Sequence, residues 1–165
     1  MFHINDYIMY GKTGVCQVTG IEKGKLIGNA EIEYYVLKPL SCDTTIKIPV
    51  NTTKVNMRPV VSKMEVLDFI DSMAEEDTVW IKDDRSRFKE FESKLNEGSC
   101  LEWMEIIKSI YIKERDKQSG RKSISPRDRD ISKEAKRLLF EEFSLSLGIP
   151  KDDVESFIIN RVSNF

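Results

Sequence analysis

Residues Phe2–Val50 read FHINDYIMYGKTGVCQVTGIEKGKLIGNAEIEYYVLKPLSCDTTIKIPV, short apolar-polar alternations broken by glycine, asparagine and aspartate. Alternation at period two sends one set of side chains inward and the other outward, which is the signature of strands. Ile8–Tyr10, Val15–Ile21, Glu31–Leu40 and Thr44–Val50 are the four strands expected. Gly28-Asn29 suits the positive φ of a tight hairpin, and Cys42-Asp43 closes the next. A fifth segment, Val55–Val61, is apolar enough to complete the sheet, with Pro59 confining it to an edge or to the strand's end. Such strands with no helix between them make a small SH3-like or Tudor-like β-barrel. A module of this size has no room for a catalytic cleft and offers an edge strand instead.

From Ser62 the periodicity becomes helical. Ser62 with Glu65 forms a capping-box pattern, and Val66, Leu67, Ile70 and Met73 follow at helical spacing. Asp83-Asp84 opens a second helix with Phe88, Phe91 and Leu95 as its apolar stripe and Gly98 as its stop. A third begins near Ser99 and carries Cys100, Trp103, Met104, Ile107, Ile110 and Tyr111 on one face. After a turn at Gly120, Ser125-Pro126-Arg127-Asp128 combines an N-cap, a proline at the first helical position and an acid three residues on. Ile131, Ala135, Leu138 and Leu139 continue that fourth helix, and Gly148 with Pro150 ends it. A fifth runs from Pro150 to about Val162 and is expected to bury Val154, Phe157, Ile158 and Val162. The fold class is therefore α+β: a barrel domain over residues 1–61, then an all-α five-helix domain over 62–165.

Composition removes several function classes. A third of the residues are charged and 40% are hydrophobic, as in a globular protein. No leader pattern and no run of about 18 apolar residues is present, so neither export nor membrane insertion is expected. Cys16, Cys42 and Cys100 contain no C-x-x-C pair, and His3 is the single histidine, which supplies a zinc site poorly. Neither a metal nor a cofactor is expected, and the unpaired cysteines suit a reducing cytoplasm. A Gly-rich phosphate loop and a nucleophile with a histidine partner are both missing, so an enzyme is the weakest of the readings.

The net charge of −2 conceals a strong asymmetry. Residues 62–84 hold two basic and eight acidic side chains, while 108–137 hold eleven basic and five acidic. A local positive excess of that size attracts phosphates even on an acidic chain. Arg85, Arg87 and Lys89 can point to one side of the second helix, and Lys113, Arg115, Lys117, Arg121 and Lys122 cluster around a Gly-Ser turn. These are candidate phosphate contacts, with a solvated, internally paired surface as the competing reading. No helix-turn-helix, zinc-finger or aromatic single-strand pattern accompanies them, so any DNA binding is expected to be weak and independent of sequence.

Asp6 with Tyr10, Gly14-Val15, Ile21-Glu22, Ile27-Gly28, the block Glu33-Tyr34-Tyr35-Val36-Leu37 and Ile48-Pro49-Val50 together resemble the N-terminal domain of the CarD/CdnL transcription regulators. A related module occurs in the transcription-repair coupling factor. In the helical half, Ser86-Arg87-Phe88-Lys89, Leu95, Gly98, Ile124-Ser125, Ala135, Leu139 and Glu142 resemble the C-terminal domain of the same family, so the similarity covers nearly the whole chain.

The resemblance implies a bacterial, cytoplasmic, nucleoid-associated regulator without chemistry of its own. Its barrel would bind the β subunit of RNA polymerase through an edge strand, with Ile46 and Lys47 setting specificity; the family's second basic contact falls at Gly24 or, with a one-residue slip, on Lys23 or Lys25. Its helical domain would lie on promoter DNA upstream of the melted region, with a tryptophan wedged into the minor groove, and change the lifetime of the open complex. Trp103 falls on an apolar stripe, which points to a core role. Trp80 lies between two expected helices and is the candidate wedge, with an interdomain plug as its alternative. Aligned on Gly98, the family tryptophan falls at Asp84, so Trp80 stands about one helical turn early among acidic neighbours. The alternative function is an RNA- or ribosome-associated barrel protein with no polymerase contact.

Overall fold

Five antiparallel strands form from the alternating stretch: β1 Tyr7–Tyr10, β2 Gly14–Lys25, β3 Glu31–Pro39, β4 Ile46–Pro49 and β5 Met57–Pro59, in the sheet order β4-β3-β2-β1-β5. The structure is a computed structural model, and the residues it describes are 1–25, 31–75, 78–115 and 124–162. The turn expected at Gly28-Asn29 and that at Gly120 lie outside them. The chain divides into two units, Met1–Val60 and Val61–Phe165.

In the sheet unit, Ile8, Cys16, Val18, Tyr35, Leu37 and Ile48 form the buried cluster, as alternation requires of the inward face. The Phe2 N–H donates to the Tyr35 hydroxyl (2.9 Å), which satisfies the one polar atom that ring carries inward. β5 pairs only with β1, and Pro59 sits at its end, where its missing N–H costs no ladder bond.

β2 is longer than its alternation suggests, because the ladder with β3 runs on to Lys25 opposite Glu31. The register slips between Val18 and Gly20, so Thr19 is an extra residue, and its hydroxyl donates to the Val36 carbonyl (3.1 Å). A bulge of this kind resets which face each later side chain occupies.

The helical unit holds α1 Lys63–Glu75, α2 Asp84–Glu97, α3 Cys100–Arg115, α4 Pro126–Leu147 and α5 Val154–Val162. Their starts follow local chemistry. The Ser62 hydroxyl accepts from the Glu65 N–H (3.3 Å) while the Glu65 carboxylate accepts from the Ser62 N–H (2.7 Å), a complete capping box. Asp83 caps α2 by accepting from the Ser86 N–H (2.8 Å); the Ser86 side chain first and this backbone bond second hold its carboxyl below the usual range, and Gly98 ends the helix at φ 78°. Ser125 caps α4 through the Asp128 N–H (3.1 Å), with Pro126 in the first turn.

Three stripes differ from expectation. In α2 the buried residues are Arg87, Phe91 and Leu95, with Phe88 only half-buried. In α3 the buried face takes Ile106 and leaves Tyr111 49% exposed, because the stripe is centred about one residue away from the position expected. In α5 only Val154 is fully buried, while Phe157, Ile158 and Val162 are partly exposed.

Polar ties join the helices. Lys94 of α2 meets Glu102 (3.4 Å) and Glu105 of α3, and Arg161 of α5 grips Asp71 of α1 through two bonds of 2.6 Å. Glu142 of α4 is completely buried; its carboxylate accepts from the Val61 N–H (3.0 Å) and the Cys100 thiol (3.1 Å). Ser146 one turn on donates to the Val61 carbonyl (2.6 Å), so α4 holds both backbone groups of that residue.

Candidate functional site

In the sheet unit the candidate surface is the end strand β4, hydrogen bonded to β3 on one side. Lys47 is exposed and reaches Glu22 at 2.5 Å, an ion pair with both partners more than half open to solvent. Ile46, its neighbour, turns the other way and packs against the core. Its side chain therefore contributes to the strand's anchoring more than to a free surface.

The Thr19 bulge separates the three lysines. Lys47 lies opposite Val36, which lies opposite Gly20, so it shares the outer face with Glu22 and Tyr34. Lys23 and Lys25 lie opposite Glu33 and Glu31 on the other face, where opposite charges in one rung favour each other. The four residues Lys23, Lys25, Ile46 and Lys47 thus do not form one patch. Between the lysines, a Cβ on Gly24 would stand 2.9 Å from the Tyr34 ring, so glycine lets that aromatic lie across the strand.

In the helical unit the candidates gather around Trp80. Its ring is partly exposed, meets Phe91 edge to face (centroids 6.4 Å, 72°), and lies beneath the guanidinium of Arg87 at 4.3 Å. The ammonium of Lys113 also approaches the ring, at 5.5 Å. Cations over an indole are held by the ring's quadrupole. Trp103 differs in every respect: it is 1% exposed in the core and its Nε1 donates to the Leu95 carbonyl (3.3 Å).

Arg87 is not a surface residue. It is 3% exposed and spends its donors internally: Nε and Nη2 on the Asp128 carboxylate (3.2 and 2.6 Å), Nη2 also on Asp84 (2.8 Å), and Nη1 on the Ile81 carbonyl (2.9 Å). Burial works against its charge, but the bonds to Asp128 and Asp84 outweigh that and raise its pKa above the ordinary guanidinium value. The expectation that Arg85, Arg87 and Lys89 share one side fails on helical geometry, since residues two apart diverge by about 200°. Arg85 and Lys89 are exposed, and Arg87 faces inward.

The acids beside Trp80 are also engaged, Asp83 by its cap and Asp84 by Arg87, which softens their repulsion of a phosphate. Arg115 is exposed, with its guanidinium 5.8 Å from the Tyr111 ring. Lys117, Arg121 and Lys122 lie outside the described residues. One cation escaped the sequence reading: Arg127 stands 5.2 Å over the Phe88 ring, from α4 onto α2. It counts toward the basic excess of residues 108–137, but within Ser125-Pro126-Arg127-Asp128 nothing marks it as a ring contact.

Among the described residues no group of His, Cys, Asp and Glu is arranged to hold a metal ion, and no helix is long and apolar enough to cross a membrane. A comparison with curated proteins finds no match. Comparison with protein families matches residues 2–61 to the CarD-like/TRCF RID domain and residues 65–159 to the CarD C-terminal domain. A strand unit and a helical unit, each matching one half of the same two-part architecture in the same order, leave one assignment: this chain belongs to the CarD family of RNA polymerase-interacting transcription regulators.

Proposed function

We propose that β4 adds to a sheet of the polymerase β subunit while the helical unit lies on promoter DNA just upstream of the bubble, and that Trp80 is the wedge there. Strand addition draws its affinity from backbone pairing and its specificity from neighbouring side chains, which suits an end strand that carries Lys47. Arg85, Lys89, Lys113, Arg115 and Arg127 supply phosphate contacts that fix register without reading bases, so DNA binding is weak and insensitive to sequence. The two contacts together raise each other's effective concentration, and the protein travels with polymerase on the nucleoid.

The observation that carries this reading is the partial exposure of Trp80 between cationic groups, where Trp103 is sealed in the core. A wedge costs a few kcal/mol of unstacking, least where the duplex is already opening. Trp80→Ala is expected to leave polymerase binding intact and to shorten the decay of heparin-challenged open complexes roughly five- to a hundredfold, from a base-stacking contribution of about 1–3 kcal/mol. Unchanged decay beside a large loss in a urea melt would make Trp80 a packing residue instead. Recovery of ribosomal proteins or RNA, without polymerase subunits, from a lysate would favour the alternative of an RNA-associated protein.

A further inference from the structure

The position of the Trp80 ring is built from a distance. Its contact to Arg87 at 4.3 Å is shorter than that to Lys113 at 5.5 Å, and the Arg87 guanidinium is hydrogen bonded on several sides. Asp128 of α4 takes two of its N–H groups, Asp84 takes a third interaction, and the Ile81 carbonyl takes Nη1. Ile81 directly follows Trp80, so one side chain fixes both the ring's face and the backbone beside it.

Asp128 is equally constrained. It is 1% exposed, its N–H donates to the Ser125 hydroxyl (3.1 Å), and that hydroxyl donates to its carboxylate (2.8 Å). The N-terminal cap of α4 is therefore continuous with the indole through hydrogen bonds from Ser125 to Asp128 and from Arg87 to Asp128, and then the cation–π contact of Arg87 with the ring. Only the planar fork of arginine can meet a carboxylate with two bonds and also lie flat over an aromatic; lysine offers a point charge that cannot do both.

We propose that Arg87 and Asp128 are positioning residues for Trp80: the buried ion pair sets the angle at which the indole is presented, while Arg87 itself touches no DNA. The inference rests on Trp80 being the residue that acts on the promoter. It separates Arg87 from Arg85 and Lys89, whose charges face solvent and act on phosphate directly. Pre-setting the ring's orientation removes an ordering cost that would otherwise fall on the bound state.

The test is a double-mutant cycle on the full-length protein, using Arg87→Lys and Trp80→Ala with open-complex decay as the readout. Arg87→Lys keeps the charge and loses the fork. It is expected to shorten the lifetime about two- to thirtyfold, the range of a cation–π contact, and to have no further effect once Trp80 is alanine. An equal fractional effect in both backgrounds overturns the proposal, because Arg87 would then act without the ring. Asp128→Asn, which keeps the shape and loses the counter-charge, serves as the second variant should Arg87→Lys fail to fold by circular dichroism. A readout independent of DNA uses the Trp103→Phe background, in which Trp80 is the one fluorophore of its kind. There Arg87→Lys is expected to shift the emission to the red and raise quenching by acrylamide, and an unchanged spectrum also overturns the proposal. If Trp80→Ala leaves open-complex decay unaltered while that spectrum still shifts, the positioning stands and the promoter role of Trp80 falls.

Discussion

The sheet unit and the helical unit bury different kinds of side chain. In the first, the buried cluster is apolar except for the Cys16 thiol and the Tyr35 hydroxyl, and lysines and glutamates face one another across exposed rungs of the β2–β3 ladder. In the second, Arg87, Asp128, Glu141 and Glu142 are buried together with the apolar core. Taking such charges out of water costs several kcal/mol per ion before their mutual bonds offset it, so a buried pair adds little to stability while fixing one arrangement closely. The contrast matches the surfaces proposed for each unit. Strand addition asks for an ordinary scaffold with a free backbone edge, whereas a wedge asks that one ring be held at one angle.

The strongest way to break this contrast is to remove a buried charge. Asp128→Ala leaves Arg87 in the interior without its principal partner and is expected to cost about 3–5 kcal/mol in a urea melt. A loss under about 1 kcal/mol would mean that the helical unit tolerates charge as easily as a surface does. On the sheet unit the opposite holds. Lys47→Glu disrupts an exposed pair with Glu22, so the same melt is expected to change by less than about 1 kcal/mol. Binding to the isolated polymerase β subunit, measured by surface plasmon resonance, should still fall on the order of tenfold, mainly in association rate. A loss of fold would make Lys47 structural.

The smallest effect expected concerns a half-buried tie of the helical unit. Hydrogen bonds from Arg161 hold the Asp71 carboxyl below its ordinary value of 3.8. A depressed folded-state value means that the unfolded chain takes up the proton first, so the stabilisation is full above pH 3.8 and disappears as pH falls through the lower folded value. Asp71→Asn is expected to flatten that part of the acid limb in pH-dependent melts and to lower stability slightly at neutral pH, where the parent pair is intact, the two proteins converging at the acid end. An acid limb identical to that of the parent would remove the pair from any account of stability.

What was legible in the sequence is what is decided within a few residues. The caps at Ser62, Asp83 and Ser125 close on donors three positions away, so their residue types announce them. Pro59 announced an end strand for the same reason, since the missing donor belongs to the residue itself. Trp103 was legible by periodicity. Arg87 was not, because the residue that draws it inward is Asp128, 41 positions further on. Without that partner an arginine beside Arg85 and Lys89 reads as surface charge. The faces of Lys23 and Lys25 were hidden by one inserted residue, Thr19, in a strand whose alternation gives no sign of it. Arg127 went unseen because one motif served two purposes, capping α4 and covering Phe88.

The grip of α4 on Val61 decides where the gene can be cut. A helical fragment begun at Ser62 keeps its capping box but discards the N–H that Glu142 accepts and the carbonyl to which Ser146 donates. The completely buried carboxylate then loses the backbone donor and keeps the Cys100 thiol. Dissection between Pro59 and Val60 retains both backbone groups of Val61 and gives it a preceding peptide in place of a charged terminus. Two helical fragments that differ by two residues are thus expected to differ in stability, the longer one keeping two hydrogen bonds that the shorter has lost.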